Sequence, residues 1–463
     1  MTPASVAGIS QSGLKGNGRS WPLRVPTWAS SLVVSLVFLF YAARFFRLIS
    51  RWAVNIFFWD EWDVTNATLF QHHSWWEIFT WQVGPQREGI GGVFAAVVEP
   101  LFRWNSRSES FLVGGIIAST ALLALYLKHR LYGSLSLLDV TVPILYFTPR
   151  QYENVFVTVN IARDTVPAFL LIVYCLAWIT EPPAKRYVIL LAINFLAIYT
   201  GFGLFIGVLT PVLLILDYLA HGNRSWKLFA GSVLVALLSL ASFFIGYKSI
   251  PGLDCFTWRL ISPRMYLRFV GVMFAKFFAI PGTERWTRIA GMIIFFILLA
   301  TAVLVVRNLL RERDHHDNNV RQRGLATTAL IGYGLVFAAN AAYGRACFGI
   351  FFALSSRYVI FLIPAFLGLY FFCLTLRSKR VRVLTALALL LAALPASLYL
   401  DPAWFLFPQK KAEWKDCYKR LENIRQCDEI VGFKIYPSPE ATHLEDKLQY
   451  LKQTHQNLYA DGD

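Results

Sequence analysis

Residues 28–47 read WASSLVVSLVFLFYAARFFR, and a few positions on residues 57–63 read FFWDEWD. The first stretch has no charge from Trp28 to Ala43 and closes on Arg44 and Arg47. A run of about 20 apolar residues matches the hydrocarbon thickness of a bilayer, and arginines at its end extend their charged tips toward the headgroups. The run is longer than the apolar part of a secretory signal and has no small-residue cleavage site, so it is expected to stay as a first anchor. The pattern then repeats. Eleven segments are expected to span, at about 29–48, 111–127, 135–149, 165–180, 187–201, 203–220, 228–247, 288–306, 325–343, 358–376 and 383–400. The apolar stretch Phe269–Ile280 is short and runs into Pro281-Gly282, so it is expected to re-enter or to lie in the interface. The fold class expected is an all-α polytopic membrane protein.

Composition agrees. The chain of 463 residues is 56% hydrophobic and 16% charged, against about 45–50% and about 25% in soluble domains. Its net charge of +16 does not point to nucleic acid, because the basic residues sit in short clusters between apolar runs. Those clusters set an orientation. Lys128-His129-Arg130, Lys185-Arg186, Arg224 to Lys227, Arg307 to Arg323 and Arg377 to Arg382 fall on one side, with the N-terminal segment 1–28. The positive-inside rule makes that side cytoplasmic. The segments 49–110, 150–164, 248–287 and 344–357 and the tail 401–463 then lie on the extracytoplasmic side of a membrane domain spanning 29–400.

The tail is soluble in character, with nine basic and eleven acidic residues. Trp414, Cys417, Leu421 and Ile424 recur at helical spacing, and Thr442-His443-Leu444-Glu445 has the pattern of a capping box. Cys417 and Cys427 suit a disulfide only if a turn separates them, since ten helical residues hold two Cα atoms about 15 Å apart. No cysteine pair has the spacing of a metal knuckle, and Cys175 and Cys373 read as small apolar residues within spans.

The long segment 49–110 holds the residues that look chemical. Phe57-Phe58-Trp59-Asp60-Glu61-Trp62-Asp63 puts three carboxylates in four positions between aromatic residues. Such acids are costly at a membrane surface unless they bind something. They suit a general base or a divalent-cation ligand; the plain alternative is a solvated turn with interfacial tryptophans. Further on, Trp75, Ile78, Phe79 and Gln82 share a helical face, as in a helix lying in the interface. His72-His73 point apart and read as surface polar residues. Arg87, beside Glu88, suits a phosphate because its planar fork donates two hydrogen bonds, or else closes a simple turn. A second polar stretch, Arg150 to Asp164, offers Glu153, with Asp164 in reserve or paired to Arg163. A third offers Arg345, Arg357 and Tyr358, as a phosphate clamp or as lipid-headgroup contacts. Lys248, Arg259, Arg264 and Arg268 form an interfacial basic strip.

In this layout the chain resembles the GT-C superfamily of membrane glycosyltransferases, in a bacterial, poorly characterised branch. The likeness rests on a single span followed by a large loop with the acidic pair Asp60-Glu61, on membrane-lying helices in that loop, on Glu153 in the second outer loop, and on Arg345 and Arg357 in later ones. Segments such as Trp81 to Gly89 and Ser356-Arg357-Tyr358 add to it. The Trp-Trp-Asp signature of oligosaccharyltransferases is absent and the tail is small, so transfer to protein asparagine is not expected.

The resemblance implies a polyprenyl-phosphate sugar donor, a glycan or lipid acceptor in the cell envelope, contact with membrane lipids, and residence in a bacterial inner membrane. It implies Asp60, Glu61 and Glu153 as catalytic carboxylates, with inversion at the sugar. Asp63, Arg87, Glu88, Arg345, Arg357, Tyr358, Trp59 and Trp62 would bind substrate, and Mg2+ or Mn2+ held by Asp60 and Glu153 is an open option. A transporter or flippase of a lipid-linked or anionic substrate is the alternative; it would show a path through both faces, where an enzyme shows a site at one.

Overall fold

The computed structural model describes residues 26–156, 161–220, 225–248, 262–311 and 318–460. The N-terminal segment to residue 25, Asn160 and Arg259 lie outside them. The described chain is helical apart from one two-residue hairpin, Gln82–Val83 paired antiparallel with Gln86–Arg87.

Seven helical stretches among the described residues are long and apolar enough to cross a membrane: Thr27–Trp52, Ser106–Tyr132, Gly201–Leu219, Arg285–Arg311, Asn318–Phe348, Ser356–Thr375 and Lys379–Leu421. The remaining expected spans fall on shorter helices, Thr141–Tyr146, Val166–Ala177, Pro183–Ile198 and Trp226–Ser242. The first anchor reaches Trp52, past the expected end, where Ala53 turns extended. Helix Ser106–Tyr132 starts where the Asn105 side chain accepts from the amides of Arg107 and Ser108.

Burial sorts the helices. Ser356–Thr375 is enclosed nearly all round, as an apolar helix at the centre of a bundle must be. Thr27–Trp52 and Arg285–Arg311 instead turn Leu36, Phe40, Ile293, Phe296 and Val303 outward, as lipid-facing helices do. The bundle is therefore that of a multi-pass membrane protein. Helix Pro263–Phe277 covers the short apolar stretch. At 15 residues and about 1.5 Å per residue, it falls well short of a bilayer. Its Phe269 meets Tyr358, its Tyr266 stacks on Tyr343 and its Lys276 pairs with Asp401, so it stays at one end of the bundle.

That end carries a second body. Residues of the long first loop (Ile56, Phe57, Phe58, Trp62, Leu69 and Trp104) share one core with residues of the tail (Trp414, Cys417, Tyr418, Cys427, Ile435, Leu444, Leu448, Leu451 and Leu458). The first loop and the tail thus sit together as a cap. Asn457, fully buried, ties them: its carbonyl oxygen and side chain meet Asn55, the Phe57 amide, the Trp104 carbonyl and the Ser106 hydroxyl. In the tail, helix Ala403–Leu421 stops at left-handed Glu422, and this turn brings Cys417 and Cys427 to a Cα separation of 5.7 Å, bridged as a disulfide. The capping box expected at Thr442 does not form. Helix Leu444–Thr454 begins after a left-handed His443 without a side-chain cap, because the Thr442 hydroxyl instead accepts from the Lys447 ammonium.

The opposite end, toward the basic loops, is closed by buried ion pairs. Lys128 meets Asp139 at 2.6 Å, with the Tyr370 hydroxyl on the other carboxylate oxygen. Arg321 meets Asp217, which also accepts from Tyr187.

Candidate functional site

The turn that carries Asp60 is set by its neighbours. Trp59 takes a left-handed backbone (φ 50°) and donates its amide to the Ile435 carbonyl of the tail. A bulky residue in that region is uncommon and costs energy, so the contact with the tail holds a conformation the loop would not favour alone. Beyond it, Glu61–Val64 forms one helical turn. The turn sends adjacent acids in opposite directions. Asp60 stays half-exposed and faces the bundle, whereas Glu61 is 3% exposed and points inward.

Asp60 accepts from Arg163 at 2.9 Å, and Arg163 also reaches Glu88 at 3.4 Å. Arg163 sits on the short wound segment Ile161–Thr165 that leads into helix Val166–Ala177. Two glycines permit its position. Gly201, at φ +47°, runs so close that a Cβ there would lie 2.3 Å from the Arg163 Cα. Gly89, at φ +53°, presses on the Tyr199 carbonyl. Gly201→Ala is expected to cost about 2–4 kcal/mol, from left-handed strain plus overpacking. Thermal unfolding in detergent checks this, and a variant as stable as the parent would contradict it.

Around this pair the charges converge. Asp164 is buried and feels the charges of Arg357, Arg163, Glu153 and Asp60. Arg345 feels those of Arg357, Asp60 and Arg163. Glu153 accepts from the Ser355 hydroxyl and the Arg357 amide, and lies 3.9 Å from the Arg357 guanidinium. Asp60, Arg163, Asp164, Glu153, Arg345 and Arg357, from four separate stretches of chain, therefore form one cluster of interacting charges where the bundle meets the cap. Trp59 is 44% exposed beside it and offers a ring face. Among the described residues, Arg163 Nη2, Glu88 Oε2 and both amide atoms of Asn154 in this region have no hydrogen-bond partner. Buried groups of that kind call for water or ligand.

Burial pushes the Asp164 carboxyl up to about 7, with Glu153 and Asp60 adding to the shift and Arg357 and Arg163 opposing it. An unfolded aspartate loses its proton near pH ~3.9. Between these values the native state holds a proton that the unfolded chain has lost. Asp164 therefore makes stability fall as pH rises toward 7, with no further loss above that. Asp164→Asn is expected to flatten the dependence of the melting temperature on pH across that window. An unchanged slope would contradict it.

The other expected residues border this cluster or stand away from it. Arg87 is buried and spends its donors on the backbone carbonyls of Thr80, Phe243 and Ile245, beyond the end of helix Trp226–Ser242; it stands against the Tyr199 and Phe243 rings, away from the carboxylates. Glu88 is buried and acts on Arg163; burial raises its pKa, with the arginine opposing. Asp63 accepts from Tyr436 at 2.8 Å. Trp62 is fully buried against Phe57, and Tyr358 is buried against Phe337. His73 lies 3.4 Å from Glu77 at the surface, within a formed capping box of Ser74 and Glu77.

Glu61 belongs to a separate interior cluster. Its carboxylate accepts from the Phe58 amide. With Glu88, Glu99, Glu109 and Trp81 it lines a cavity of about 30 Å³ beneath the loop, room for one or two waters. Burial, with the Glu61 charge beside it, holds the Glu99 carboxyl up to about 8, against the opposing hydrogen bond to Glu109. Lys411 reaches in from the tail-side helix, feels Glu61 and Glu109, and donates to the Phe156 carbonyl.

Asp60 and Glu153 each lie against an arginine. Among the described residues no group of three or more His, Cys, Asp or Glu side chains is arranged to hold a metal ion. No protein-family model matches the chain, and no curated protein matches it either.

Proposed function

We propose that the chain is a GT-C-type membrane glycosyltransferase that moves a sugar from a polyprenyl-phosphate donor to a glycan or lipid acceptor of the cell envelope. The supporting observation is the half-exposed Asp60 carboxylate, held by Arg163 in a cluster of charges that also includes Arg345 and Arg357. A transferase of this kind needs a base on one side of the anomeric carbon and positive charge on the other.

Asp60 takes the acceptor's hydroxyl proton. The oxygen attacks as the bond to the donor phosphate breaks, which inverts the centre through an oxocarbenium-like state. Arg345 and Arg357 stabilise the charge growing on the departing phosphate. Arg357 takes its place from Glu153, which binds both its amide and its side chain. Trp59 offers the sugar a flat apolar face. In this reading the base role falls on Asp60, and Glu61 serves the interior. The proposal includes eleven crossings in a bacterial inner membrane, with the N-terminus cytoplasmic and the cap outside. The sharing of one core by the long loop and the tail supports their being on one side.

The test is mass spectrometry of envelope glycans from cells with and without the gene. The expected result is a sugar residue that disappears with the gene and returns on complementation; identical glycans would contradict the reading.

A further inference from the structure

The tail does more in this architecture than cover the loop. Three residues of the turn that aims Asp60 are bonded to it. The Trp59 amide donates to Ile435, the Trp62 carbonyl accepts from the Lys447 ammonium at 2.7 Å, and the Asp63 carboxylate accepts from the Tyr436 hydroxyl at 2.8 Å. One residue upstream of that turn, Phe58 stacks on Phe433 at 5.3 Å. Lys447 is 8% exposed, and burial lowers its pKa to about 8, against the pull of Asp63. A buried ammonium of this kind is held by its acceptors, and it holds them in return. The left-handed Trp59 and the carboxylate of Asp60 beside it sit within this set of bonds to the tail.

We propose that Tyr436 and Lys447 are positioning residues of the site: acting through Asp63 and the Trp62 carbonyl, they lock the Trp59–Asp63 turn so that Asp60 faces Arg163 and the charge cluster around it. This rests on the reading of Asp60 as the base. The tail is then a working half of the site, supplied from more than 370 residues downstream, as the separation of 373 between Asp63 and Tyr436 shows. The Cys417–Cys427 bridge closes the turn between the two helices that precede these residues.

The test compares the full-length protein in detergent with Tyr436→Phe, which removes one hydroxyl and keeps the ring, with Lys447→Met, and with Lys447→Arg, which restores a donor. Hydrogen exchange is followed by mass spectrometry on peptides covering 57–64 and, as a control, 359–375. Product is measured in cells, with Asp60→Asn alongside. The expected result is exchange at least about tenfold faster in 57–64 for Tyr436→Phe and Lys447→Met, corresponding to about 1.4 kcal/mol of lost local protection. Exchange in 359–375 stays unchanged, product falls in parallel, and Lys447→Arg recovers both. Unchanged exchange in 57–64 overturns the proposal. So does faster exchange with full product, provided Asp60→Asn abolishes product. Product that survives Asp60→Asn itself refutes the assignment of the base instead, and the exchange data still decide whether the turn is locked.

Discussion

On the proposed function, Asp60→Asn is expected to abolish sugar transfer while leaving the protein folded and inserted, and Glu61→Gln is expected to spare transfer. Asn matches Asp in shape and still accepts from Arg163, but it takes up no proton at neutral pH. General-base catalysis contributes about 10²–10⁴-fold, so product is expected to fall by at least the lower figure. Glu61 is 3% exposed and turned away from the Asp60–Arg163 pair, beneath the loop and near Lys411. Gln keeps an oxygen for the Phe58 amide. Complementation of a deletion strain at matched protein levels reads both variants. The assignment fails if Glu61→Gln loses product and Asp60→Asn keeps it.

The second large effect is on stability. Lys411→Met is expected to destabilise the cap by about 3–5 kcal/mol, because removing one partner of a buried ionic group leaves the other charges uncompensated. Lys411 is 2% exposed, and the acids it faces, Glu61 and Glu109, come from the first loop and from a bundle helix. The tail helix, the loop and the bundle all place groups around this ammonium. Limited proteolysis of the intact protein should release the tail from residue 433 onward in Lys411→Met under conditions that spare the parent. Equal resistance would show that the cluster does not depend on this cation.

Particular residues show what the sequence alone made legible. The run from Trp28 to Ala43 was enough to expect a first membrane helix, because apolar length is a local property. The Asp60 region stood out for the same reason, since three acids among aromatics are unusual wherever they fall. Direction was not legible. That Asp60 and Glu61 part company depends on the left-handed Trp59, and nothing in Phe57–Asp63 shows that Ile435 will accept its amide. Arg163 is the hub of the charge cluster, yet locally it reads as a partner for its neighbour Asp164. Its partners lie 103 and 75 positions away. Arg87 looked like a phosphate ligand by residue type, and only the placement of the Phe243 and Ile245 carbonyls shows where its donors go. One signal was available for the missed cluster: Glu99 and Glu109 flank the entry to a span, where an acid is expensive unless paired.

The most direct measurement uses purified protein in liposomes with an isotopically labelled pool of polyprenyl-phosphate-linked sugars and follows the lipid. The account predicts that the wild-type chain converts sugar-bearing lipid to free polyprenyl phosphate when acceptor is present, and that Asp60→Asn does not. Labelled lipid that crosses the bilayer with its sugar still attached, and no polyprenyl phosphate released, would contradict it and make the protein a transporter.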